Sequence, residues 1–211
     1  YTDLADVITH EISKYFTLVD STSSTLTQHE HNASRFRLQA KAFYHPVFKV
    51  FAPELTRMDT VSFAARVDNQ NDTSMLFRVI APLIDYDSMH IERVRFGLAG
   101  TEEKALIRGS LGTFSTAGFR IRKVALEGDM ANNQVQFDFT VKDSLDKKQH
   151  GFSGIVAIDD KRYRFGLTKE ALLNYIPWQP SNNGIVVYSE EGVQVTNFGI
   201  ANKKGEQLVI N

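Results

Sequence analysis

From about Thr60 onward, apolar side chains recur at every second position. Val61, Phe63, Ala65 and Val67 alternate with Ser62, Ala64, Arg66 and Asp68, and Met75, Phe77 and Val79 continue the pattern. Val94, Phe96 and Leu98 alternate with Arg93, Arg95 and Gly97. The clearest run sets Val135, Phe137, Phe139 and Val141 against Gln134, Gln136, Asp138 and Thr140, and Tyr163, Phe165 and Leu167 oppose Arg162, Arg164 and Gly166. Successive side chains on a strand point to opposite faces, so a period of two predicts strands with one apolar and one polar face. Further strands are expected over Ile185–Tyr188, Gln194–Phe198 and Leu208–Ile210. Gly, Asn and Asp clusters predict the turns between them: Asn69–Asp72, Glu127-Gly128-Asp129, Asn132-Asn133, Asp159-Asp160, Asn182-Asn183-Gly184, Glu190-Glu191-Gly192 and Lys203-Lys204-Gly205.

The start of the chain has another period. Leu4, Val7, Ile8, Ile12, Tyr15, Phe16 and Val19 fall close to helical spacing, which predicts an amphipathic helix over 2–20 capped by Thr2 or Asp3. A polar loop follows, through Ser21–Thr25 and Gln28–Asn32, and a second short helical segment is expected from Pro46 to Phe51, ended by Pro53. The chain therefore divides into a helix and polar loop, 1–34, and a mainly β region, 35–211. Short strands joined by short turns predict an antiparallel meander rather than an α/β fold. Its apolar face must be covered. A second sheet, closure into a barrel, or curling over something apolar would each do so, and the periodicity is compatible with all three.

Composition narrows the function. The 211 residues are 42% hydrophobic and 23% charged, as in an ordinary folded domain. Lys and Arg number 24 against 25 Asp and Glu, so the basic footprint of a non-specific nucleic-acid binder is missing. Without cysteine there is no disulfide scaffold, thiolate nucleophile or Cys-ligated zinc. No apolar run approaches the ~18–20 residues of a membrane-spanning helix. The chain opens on Tyr with no signal-peptide pattern and reads as a piece of something longer.

Catalytic constellations are scarce. The six histidines are scattered; His29-Glu30-His31 is the densest metal candidate, and a solvated loop accounts for it better. The doublets Glu102-Glu103, Asp159-Asp160 and Glu190-Glu191 sit beside turns, where adjacent acids point apart into water rather than across a glycosidase cleft. Gly109-Ser110-Leu111-Gly112 misses the spacing of a nucleophile elbow, and Gly97-Leu98-Ala99-Gly100 is not a dinucleotide fingerprint. Asn32-Ala33-Ser34 and Asn71-Asp72-Thr73 match a glycosylation triplet that is common by chance. Arg93, Arg95, Arg120, Arg122, Arg162 and Arg164 could form a positive stripe for phosphate head groups, although a polar sheet face with protective charge is the simpler account. No enzyme, cofactor or metal site is expected. Aromatics are the unusual feature, with 15 Phe, 7 Tyr and 1 Trp.

Two stretches carry a family likeness. Tyr175-Ile176-Pro177-Trp178, Asn183-Gly184-Ile185-Val186-Val187-Tyr188, Gly192-Val193-Gln194-Val195-Thr196-Asn197-Phe198 and Gly205-Glu206-Gln207-Leu208 follow one another in an order that resembles the TamB and AsmA-like proteins of Gram-negative bacteria. Phe51-Ala52-Pro53-Glu54-Leu55 ahead of Val61, and Asp129–Phe137, are similar to that family's turn and strand units. The resemblance covers about residues 35–211. It implies an open, U-shaped β-taco groove in a periplasmic protein anchored in the inner membrane. Such a protein carries phospholipid towards the outer membrane, where a β-barrel protein is its partner. On that reading Val61, Phe63, Val67, Phe77, Val79, Phe96, Leu98, Phe137, Phe139, Val141, Phe165 and Leu167 would line the groove and hold acyl chains. The open sheet edges would also favour end-to-end self-association. The rival expectation is a closed β-sandwich binding carbohydrate or a protein partner through its loops, with Trp178 and Tyr188 stacking on sugar rings.

Overall fold

Alternating runs become strands along nearly the whole of the structure, a computed structural model that describes residues 11, 13–16, 35–68, 70, 72–159 and 161–210. The strands are β1 (Arg35–Ala42), β2 (Leu55–Met58), β3 (Val61–Asp68), β4 (Met75–Tyr86), β5 (Met89–Gly100), β6 (Ala105–Thr116), β7 (Phe119–Ala131) and β8 (Gln134–Lys142). They continue as β9 (Lys148–Asp159), β10 (Arg162–Leu167), β11 (Ala171–Leu173), β12 (Ile176–Pro180), β13 (Ile185–Ser189), β14 (Gly192–Thr196), β15 (Phe198–Asn202) and β16 (Gln207–Ile210). One short helix, α1 (Phe48–Phe51), lies in the loop between β1 and β2, inside the segment expected to be helical. The helix expected over 2–20 and the His29-Glu30-His31 loop lie almost wholly outside the described residues.

All 16 strands belong to one antiparallel sheet. Its apparent branches are broken strands lying end to end: β2 and β3 both pair with β4, and β10 and β11 both pair with β9. In the same manner β13 and β12 lie on β10 and β11, and β14 and β15 lie on β13 and β12. The topology is thus a plain up-and-down meander from β1 to β16. It is not closed on itself, and among the described residues β1, β2, β14 and β16 each pair along one edge only. A closed sandwich is excluded for the described residues, because all their strands belong to this one open sheet.

Two positions interrupt the ladder in a line across the middle strands. Arg93 (φ 54°) falls between the pairs Ala81↔Val94 and Leu83↔Glu92, opposite Pro82, which has no N–H to offer. Lys123 (φ 49°) falls in the same way opposite Gly112. A Cβ on Gly112 would run into the Arg93 guanidinium, so the glycine makes room for that side chain. The turns lie along two rims. The first rim carries those after β3, β5, β7, β9 and β13, including Asn132-Asn133, both left-handed (φ 51° and 58°) as a tight hairpin requires. The second rim carries α1 and the turns after β4, β6, β8, β11 and β15.

One expected turn is wrong. Glu127-Gly128-Asp129 lies inside β7, where Gly128 pairs with Phe137 and a Cβ would strike the Gln136 carbonyl. Glycine marks a close backbone approach here, which sequence alone does not separate from a turn.

The close-packed core is small and sits at the first rim. Tyr15, Val67, Met75 and Ala105 are buried together, with Phe16, Phe36, Leu98 and Met130 packed around them. Tyr15 is held from three sides. Its hydroxyl donates to the Thr101 carbonyl at 2.7 Å, its own carbonyl accepts from the Asn133 N–H at 2.9 Å, and its ring end fills the space a side chain on Gly100 would need. Burial, with the nearby Glu11 carboxylate adding to it, pushes the Tyr15 hydroxyl pKa up. Glu11, also buried, accepts from the Ser74 hydroxyl at 2.6 Å and pairs with Lys14 at 3.1 Å. Burial works against the Lys14 charge, but Glu102 and Glu11 outweigh it and hold the ammonium pKa raised. The segment 13–16 therefore covers one end of the apolar face over the turns after β3, β5 and β7.

Candidate apolar binding face

Directly paired residues in an antiparallel sheet project from the same side, so the register decides which side chains share a face. One row runs Val67, Met75, Gly100, Ala105, Met130, Val135, Val156, Phe165. The next runs Ala65, Phe77, Leu98, Ile107, Gly128, Phe137, Gly154, Leu167. A third runs Phe63, Val79, Phe96, Gly109, Leu126, Phe139, Phe152. Val61, paired with Ala42, and Val141, paired with Val124, extend the same side. All twelve residues expected to line a groove therefore project from one continuous face. Val67 and Val141 are buried, Val67 within the end cluster; the other ten are half-buried or, for Phe96, exposed.

The rings form two ladders. Phe63 meets Phe77 edge-on at 4.9 Å between centroids, and Phe77 meets Phe96 at 6.1 Å. Further along, Phe139 lies 4.9 Å from Phe152, Phe137 stacks on Phe165 at 6.2 Å, and Phe165 lies 5.6 Å from Phe198. Glycines sit beneath the rings: a Cβ on Gly154 would stand 2.8 Å from Phe137 Cζ and 3.0 Å from Phe165 Cε2. Between the ladders, where Gly109 faces Phe96, a shallow depression of about 210 Å³ is lined by Val94, Phe96, Gly109, Leu111, Val124 and Leu126. A larger one, about 350 Å³, lies on the polar side between Gln39, Lys41, Ser62 and Arg78. We give the apolar one more weight, because its walls join the rows above.

What covers this face decides its chemistry. All 15 Phe are among the described residues, and not one is buried. A sandwich or barrel would place such rings in a dry core packed to crystal-like density. Here 11 of them lie on a sheet with nothing over its middle among the described residues. Trp178, expected on the rival account to stack on sugar, is buried in β12 and cannot do so. Tyr188 is exposed beside Tyr163 at 6.1 Å, far from Trp178 in the register.

The opposite face is polar and unevenly charged. Arg66, Arg78, Arg95 and Arg108 project from β3–β6, while Asp129, Glu127 and Asp138 project from β7 and β8. Asp138 accepts from the Ser153 hydroxyl, the main reason its pKa is lowered, with Lys169 adding to the effect. The six arginines do not form one stripe, in keeping with the simpler account of them as polar-face charge. Arg95 sits on this face, Arg120 and Arg122 lie towards the second rim, Arg162 and Arg164 towards the first, and Arg93 reaches Thr113 and Glu92.

At the second rim, His90 lies between Asp85 (2.5 Å) and Glu92 (3.1 Å). The hydrogen bond to Asp85, then that to Glu92, raises its pKa above the ordinary 6.5. No group of three metal-ligating side chains occurs among the described residues.

Compared with described protein families, characterised proteins and solved structures, the chain matches none.

Proposed function

We propose that this chain is a lipid-carrying segment: its apolar sheet face holds acyl chains, which take the place of a second sheet. The observation that carries this is the uncovered apolar face from β3 to β10, whose two phenylalanine ladders are joined across β6 and β7 by Ile107, Leu111 and Leu126. Burying a methylene is worth about 0.8 kcal/mol, so a long acyl chain gains enough from such a face without any specific polar contact. A continuous face without polar interruption suits a ligand that slides, whereas a site for one fixed ligand needs convergent polar groups. The likeness of 175–210 to the TamB and AsmA-like proteins is the reason to set this activity in the periplasm, as part of an anchored bridge towards the outer membrane.

The test is transfer of fluorescent phospholipid from donor to acceptor vesicles. Phe137→Asp and Phe139→Arg, each placing a charge on the face, are expected to abolish transfer while the protein stays folded by circular dichroism. Undiminished transfer by both variants contradicts the assignment of the face.

A further inference from the structure

The two rims of the sheet differ in a way the groove does not explain. On the first rim stand the acid doublets Glu102-Glu103 and Glu190-Glu191, with Asp159 at the end of β9. On the second rim α1 and the turns after β6, β8 and β11 each present a large apolar tip to solvent. Phe51 at α1 is 81% exposed, Phe119 after β6 54%, and Leu145 after β8 86%, with Val50 and Tyr175 also exposed.

We propose that the second rim docks on the interface of an anionic phospholipid bilayer. The tips come from separate turns spread from β2 to β12, eight strand spacings or about 40 Å. They form a line rather than one contiguous patch. A protein partner would be expected to bury a central, pocketed cluster. A row of isolated tips with cations between them matches the head-group boundary of a bilayer, where each tip can enter independently and each cation can meet a phosphate. The cations are present. Lys49 stands beside Val50 and Phe51, Arg57 follows in β2, and Arg120 adjoins Phe119, none in an ion pair among the described residues; Asp87, Asp143 and Asp146 stand on the same rim, Asp146 paired with Lys123 at 2.8 Å. Tyr175 has the amphipathic form found at membrane interfaces, its hydroxyl donating to Asp143 at 2.6 Å and Lys147 5.0 Å over its ring. Docked in this way, the sheet would stand on edge with the first rim turned from the membrane. The proposal does not depend on lipid occupying the groove.

Flotation with vesicles of phosphatidylcholine containing phosphatidylglycerol, against phosphatidylcholine alone, tests it. The chain is expected to float only with the anionic vesicles. Phe51→Asp combined with Leu145→Asp, both at solvent-facing positions, is expected to weaken partitioning about tenfold or more. Val193→Asp, at an exposed apolar site on the first rim, should change nothing. A Trp introduced as Phe119→Trp should be quenched by brominated lipid. Absence of flotation, flotation unaffected by the double variant, or equal loss with Val193→Asp overturns the proposal. Self-association that vanishes in the double variant without vesicles assigns the rim to a second copy and overturns it as well. Lipid retained by the purified chain without vesicles reports on the groove alone, so the two readings fail separately.

Discussion

The same apolar face has two fates in this molecule. At the first rim, residues 13–16 lie over it, and Tyr15, Val67, Met75 and Ala105 pack into a closed cluster. A few residues away along the same strands, Phe63, Phe77 and Phe96 make a ladder as apolar as that cluster, yet none is buried and Phe96 is 37% exposed. The strands, alternation and register are continuous between the two regions. Only the covering layer differs. Alternation therefore specifies a face that needs a cover, whereas a distant segment or a ligand supplies it.

The contrast is broken most readily by truncating one residue in each region. Tyr15→Ala leaves a cavity and strips the hydrogen bond to Thr101, and is expected to cost about 3–5 kcal/mol by urea unfolding. Phe96→Ala removes a ring that water already reaches, and the expected cost is about 1–2 kcal/mol. Equal costs would mean that the middle of the face is covered as fully as its end. In lipid-loaded protein the Phe96→Ala cost should grow, since the ring then has partners on both sides.

The smallest expected effect lies at the second rim. The raised His90 pKa means that its pairing with Asp85 and Glu92 stabilises the fold fully below the ordinary value of 6.5 and is lost as pH rises through the folded value. Between about pH 6 and pH 8.5 the urea midpoint of the wild type should therefore fall slightly more than that of His90→Gln. An identical fall in the two proteins would remove this pair from the account.

Most of the face is legible in the sequence because strands β3, β4, β5, β8 and β10 alternate cleanly. Strands β6, β7 and β9 were hidden by glycine. Gly109, Gly128 and Gly154 occupy apolar-face positions and look like turn residues, but each lies opposite or under a phenylalanine from a neighbouring strand. A glycine aligned with a Phe one hairpin away is the signal that would have found them. Tyr15 and Phe16 belong to the expected apolar side of the N-terminal segment, whereas the burial of Glu11 could not be foreseen. Its partner Ser74 is 63 positions away, and a carboxylate is buried only where such partners converge. The second rim was equally invisible, because its apolar tips are single residues far apart in sequence that the meander brings into one line.

The central claim is that acyl chains cover the middle of the face, and native mass spectrometry of the purified chain, with lipid analysis of its solvent extract, tests it most directly. Phospholipid or acyl chain bound in a fixed ratio, and lost in Phe137→Asp, is the expected result. A clean ligand-free mass that takes up no added lipid would contradict it.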